Sequence, residues 1–87
     1  MNDTQMAIAT RLAQRYPWMA TDDYRHPGTA GSLLTLLLLR SPPGGYQGKL
    51  VFLGATVTWC AVGWEVSADT WQECVALAML RALDETP

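Results

Sequence analysis

The chain has 87 residues, 49% hydrophobic and 16% charged, with a net charge of −2. This length makes one domain, residues 1–87, and its six Lys and Arg, scattered singly, exclude the basic patch that advertises a nucleic-acid binder. Eight carboxylates are too few for a nucleic-acid mimic, and a charged share below the usual quarter or so leaves apolar surface that must go somewhere.

Residues 3–16 read as a helix capped by Asp3. Ile8, Ala9, Leu12, Ala13 and Tyr16 fall at helical spacing and form one apolar stripe. Pro17 disfavours helical backbone at Tyr16 and ends the run.

Residues 17–31 read as a loop rich in turn formers: Asp22, Asp23, Pro27, Gly28 and Gly31. Trp18 and Tyr24 are large for a loop. Binding residues sit on loops more often than on core elements, so Trp18, Asp22, Asp23, Tyr24 and Arg25 are expected to form a partner-binding surface. Tyr46 and Trp59 join that set as exposed aromatics near the sheet.

Ser32 to Arg40 is SLLTLLLLR. Leucine favours helix and Ser32 could cap one. A short apolar run bounded by turn signals also fits a buried strand, and the sequence is read here as a strand. Residues 41–48, with two prolines and three glycines, are a loop.

Gly48 to Val66 is rich in Val, Thr, Phe and Trp, which suits strands. Its length predicts two antiparallel strands, about 48–54 and 56–66, joined at Gly54-Ala55. In a single strand 56–66, Trp59 and Trp64 point to opposite faces, so both faces of the sheet are expected to be apolar.

The last helix is expected over about 70–84, capped by Asp69 with Gln72 at the capping-box spacing. Trp71, Cys74, Val75, Ala78 and Ala82 lie on one line, and Ala76, Met79, Leu80 and Leu83 on the next. An apolar arc this wide lies deep against a sheet.

The predicted fold is therefore α+β: a two-layer α-β-β-β-α domain with a three-stranded antiparallel sheet and two helices packed on one face. The bare second face, carrying Val57, Trp59 and Ala61, is expected to form a homodimer.

Catalysis and metal binding find little support. His26 is the only histidine, and one histidine nearly exhausts hydrolytic triads. His26 with Asp22 and Asp23 lies on a loop, which supplies neither fixed geometry nor a second shell for a metal. Cys60 and Cys74 are neither a disulfide framework nor a zinc site. No enzyme activity, cofactor or metal is expected. The longest apolar run, Leu33 to Leu39, falls short of the roughly 20 residues that span a membrane, and no signal peptide is read at the N-terminus. A cytoplasmic protein, bound to neither membrane nor nucleic acid, is expected.

Two resemblances add to this reading. Residues 67–83, SADTWQECVALAMLRAL, resemble the last helix of double-stranded RNA-binding domains, whose element order is the same. That family grips phosphate with lysines at the helix start; here Asp69 and Glu73 stand there, so the RNA function is not implied. Gly63-Trp64-Glu65-Val66 running into a capped, alanine-rich helix at 69–84, in a short acidic chain, resembles small phage-encoded accessory proteins of α–β–α sandwich type, anti-CRISPR inhibitors among them. This resemblance implies a protein that binds and blocks a host or defence complex without catalysis. A small-ligand-binding or sequestering homo-oligomer, with a pocket of Trp59, Trp64 and Tyr46 between subunits, is the first alternative, and a degenerate double-stranded-RNA-binding-like nucleic-acid-binding domain the second and poorer one.

Overall fold

A computed structural model describes residues 1–39, 48–61 and 63–85. The described residues form an α+β domain with three α-helices and one three-stranded antiparallel sheet of order β1-β2-β3.

Helix α1 spans Asp3–Arg15. Its cap is Asn2, one residue before the expected Asp3. Asn2 Oδ1 accepts from the Gln5 N–H at 2.8 Å, and Gln5 Oε1 accepts from the Asn2 N–H at 3.0 Å. This reciprocal pair satisfies two backbone donors that a helix start leaves open. Ile8 and Leu12 carry the buried stripe. Pro17 ends the helix and opens a 3-10 turn, Pro17–Thr21.

The first correction is α2, Pro27–Leu39. Residues 32–39, read as strand, are helical, and the helix reaches back into the expected loop. His26 begins it: its Nδ1 accepts from the Gly28 N–H at 3.1 Å. Pro27 then takes the first helical position, where a missing N–H costs nothing. Ser32 and Thr35 bond back to the Gly28 and Gly31 carbonyls, which lets both sit inside a helix. The rest is mostly leucine, a strong helix former. The expected β-β-β run thus contains only two of its three strands, and two helices precede the sheet.

The second correction restores the third strand. Strands β1 (Lys49–Leu53) and β2 (Thr56–Ala61) meet at Gly54-Ala55, where Gly54 has φ 59°. The expected strand 56–66 turns before Trp64, with Gly63 at φ 85°, and β3 runs Trp64–Ala68. Both glycines hold the left-handed backbone that other residues rarely adopt.

This turn decides which face is apolar. Leu50 pairs with Trp59 and Phe52 with Val57. Trp59 pairs with Val66, Val57 with Ala68, and Ala61 with Trp64. Directly paired residues share a face. Trp59 and Trp64 therefore lie on the same side. The opposite face carries Lys49, Thr56, Thr58, Cys60, Glu65 and Ser67, with Thr58 and Ser67 hydrogen-bonded at 2.8 Å. Only Val51 and Leu53 are apolar there. The expectation of two apolar faces is corrected: this sheet has one.

Helix α3, Trp71–Glu85, covers that face. It begins one residue later than the Asp69 cap predicts, with the Glu73 N–H donating to Thr70 Oγ1 at 3.3 Å. It packs on β2 and β3 and also touches α1 and α2. Cys74, Val75, Ala76, Ala78, Met79 and Leu80 are all buried. Consecutive helical positions point in different directions, so most of this helix is enclosed, with a narrow wet edge at Glu73, Leu77, Arg81 and Asp84. It is the centre of the core, joined there by Leu12, Met19, Tyr24, Leu33, Leu37, Val57 and Trp59.

Candidate interaction surfaces

The sequence-predicted site residues separate into two groups. Tyr24 and Trp59 are core, at 0% and 2% exposure. Neither is a surface anchor, and the dimer expected on Val57, Trp59 and Ala61 is excluded because α3 lies over that face. The pocket expected between Trp59, Trp64 and Tyr46 loses Trp59 for the same reason. Trp64 is half-buried, with the Arg81 guanidinium 6.0 Å from its ring centre. Tyr46 lies outside the described residues.

Trp18, Asp22 and Arg25 are exposed, and Asp23 is half-exposed. The 3-10 turn holds the first of these in place. The Met19 N–H donates to the Tyr16 carbonyl at 2.9 Å, and the Asp22 N–H to the Met19 carbonyl at 3.2 Å. Buried Met19 pins the turn to the core, while Trp18 on the same turn stays 43% exposed. Its ring leans on Tyr16, with centroids 6.4 Å apart.

Beside this turn an open groove of about 510 Å³ runs along α1. Ala9, Thr10, Ala13 and Gln14 of α1 line it together with Met19, Ala20 and Asp22. An alanine pair on α1 near a second alanine-bearing turn was the sequence signal for a groove.

Asp23 also lines the groove, but its charge is engaged. Its carboxylate accepts from the Arg25 guanidinium at 2.7 Å and from the Arg25 backbone N–H at 2.9 Å. These bonds hold its pKa below the ordinary 3.8.

Tyr24, next in the chain, turns inward. Its hydroxyl is buried, and among the described residues it has no hydrogen-bond partner. Burial, then the neighbouring Glu73 carboxylate, raises its pKa above 10.0. Cys74 is buried too, its thiol donating to the Val66 carbonyl at 3.4 Å, and burial raises its pKa.

His26 is engaged as the α2 cap. Among the described residues no three His, Cys, Asp or Glu side chains are grouped as a metal site requires, and no helix is long and apolar enough to cross a membrane.

A second exposed region lies at the end of the first hairpin. Phe52 and Leu53 are 62% and 70% exposed. Phe52 is on the face that α3 covers, yet α3 packs on β2 and β3 and leaves β1 as a ledge. No sequence signal distinguished Phe52 from Val57, since both alternate correctly. Compared with protein families, curated proteins and solved structures, this chain has no match.

Proposed function

We propose that this chain is a small non-enzymatic protein-binding module, and that it acts by occupying a surface of a larger partner. One observation carries the reading: Trp18 stands exposed on an internally bonded turn, beside a groove lined in part by Asp22. Tryptophan is among the side chains that dominate binding energy. A turn already fixed by its own hydrogen bonds and by Met19 loses little freedom when it docks. Asp22 and the net charge of −2 favour a partner surface bearing Lys or Arg.

Blocking a host or defence complex, as the resemblance to anti-CRISPR inhibitors implies, is one form of this mode. A cytoplasmic location accompanies it, since thiols outside disulfides persist in a reducing compartment.

The test compares wild type with Trp18→Ala and Asp22→Lys as immobilised baits in extract of the source cells. Circular dichroism and melting are checked first. A partner retained by wild type and lost by both variants supports the reading. That partner, purified, should then bind at least tenfold more weakly to each variant in titration calorimetry. A partner held equally by all three refutes the surface.

A further inference from the structure

The geometry points to a second copy of this chain as the occupant of the β1 edge, paired antiparallel about a twofold axis at Val51, so that two sheets become one of six strands.

The hydrogen-bond phase of the hairpin fixes what the edge offers. With a two-residue turn, the closing pair Leu53–Thr56 exchanges both backbone bonds. Alternation then assigns Val51–Thr58 and Lys49–Cys60 to the bonded class, and leaves the N–H and C=O of Leu50 and Phe52 pointing away from β2. Among the described residues no strand pairs with that side. The other edge, β3, carries Glu65 at its matching outward position. Charge on an edge strand deters pairing. In β1 the run Leu-Val-Phe-Leu follows Lys49 without a charge or proline.

The strand is complementary to itself in one register. Set Val51 against Val51 of the second copy. Leu50 then faces Phe52 of the second copy, and Phe52 faces its Leu50. The outward amides and carbonyls of both residues are satisfied, four bonds in all. Lys49 faces Leu53, whose methyls can pack on the lysine stem. The two Lys49 amines stand about 13 Å apart along the strands, so no like charges oppose. Two half-covered ledges meet, and each exposed Phe52 gains an apolar neighbour across the seam. Pairing β1 with β3 of another copy would leave bare edges and keep adding molecules; the twofold pairing closes.

Size sets the strength. Phe52, Leu53, half-buried Val51 and the edge backbone together give up on the order of 400 Å² per copy, a total at the small end of specific interfaces. The dimer is therefore weak, half-formed near roughly 100 µM. This surface is separate from Trp18 and its groove, so the inference stands or falls apart from the proposed function.

Sedimentation at about 20 and about 500 µM tests it, since these bracket that affinity. Wild type should shift from the 9.6 kDa monomer toward twice that mass. Val51 lies on the solvated face, so Val51→Lys and Val51→Glu should keep the wild-type circular dichroism and melting point. Each alone should remain monomeric at the higher concentration, because like charges meet on the axis. An equimolar mixture should associate again. Hydrogen exchange on wild type needs no substitution: the Leu50 and Phe52 amides should exchange about threefold more slowly at the higher concentration, as the monomer share falls from about three-quarters to about one-quarter. Wild type monomeric at the higher concentration overturns the proposal. So do single variants that dimerise as wild type does, a mixture that stays monomeric, or Leu50 and Phe52 amides indifferent to concentration.

Discussion

Two glycines in this chain should respond to the same substitution with opposite signs. At Gly48 an added Cβ would fall inside the van der Waals envelope of the Trp59 indole. At Gly31, within α2, an added Cβ meets nothing within 4 Å. Neither glycine has a backbone that only glycine can adopt. Alanine at either site therefore removes unfolded-state freedom, worth about 0.4–1 kcal/mol in favour of the fold. At Gly31 nothing opposes that gain, and a helix interior favours alanine by about 0.5–1 kcal/mol. At Gly48 the methyl must displace an indole that is only 2% exposed and enclosed by the core. Overpacking costs typically about 1–3 kcal/mol. Net destabilisation of Gly48→Ala is then about 1–2 kcal/mol, and Gly31→Ala is stabilised by about 0.5–1 kcal/mol. For a domain this small each kcal/mol moves Tm by about 4–8 °C. Urea melts followed by tryptophan fluorescence and by far-ultraviolet circular dichroism read both shifts. Gly48→Ala as stable as wild type would refute the packing of Trp59 on the start of β1.

Tyr24→Phe should be neutral or stabilising, by up to about 1 kcal/mol, because the buried hydroxyl has no partner among the described residues and an unpaired one costs about 1–3 kcal/mol. The raised phenol pKa favours the fold below pH 10.0, and this contribution is lost as pH rises beyond it. Tyr24→Phe should accordingly lose less stability than wild type in alkaline melts; a variant less stable than wild type at pH 7 would mean the hydroxyl is bonded. In the acid range, Asp23 titrated by carboxyl NMR should show a midpoint below 3.8 that returns toward it in Arg25→Ala. Any stability tied to this pair is present above pH 3.8 and lost as pH falls through the depressed midpoint; the pair is exposed to solvent screening, so the loss should be small.

The sequence announced α1, the first hairpin and α3 because each has a clean period and a terminator: Pro17 after α1, Gly54 in the turn, a capping residue before α3. It hid α2 because Leu33, Leu34 and Leu36 to Leu39 occupy every side of the helix, which erases the period that separates helix from strand. The Pro27 start signal was visible but competed with Gly28 and Gly31. One missed turn at Gly63 then had a disproportionate effect. Moving Trp64 to the same face as Trp59 converts a two-sided sheet into a one-sided one, because side chains alternate with period two. Within the candidate site, Asp22, Arg25 and Trp18 were legible as an exposed turn. Tyr24 was not, since nothing in Asp-Asp-Tyr-Arg says which side chain turns inward; the packing of α2 and α3 decides that.

Helix α3 follows every element it touches in the chain. Leu12 and Met19 on one flank, and Val57 and Trp59 on the other, share a core with its buried residues. During synthesis neither flank can complete its packing until Trp71 onward has been made, so the earlier segments wait with their leucines uncovered. The contacts of α3 with α1 join residues far apart in sequence, which slows folding, and exposed apolar surface in the waiting chain invites aggregation. The position of this one helix in the chain leaves apolar surface on the nascent protein uncovered until the helix has emerged, however stable the finished domain.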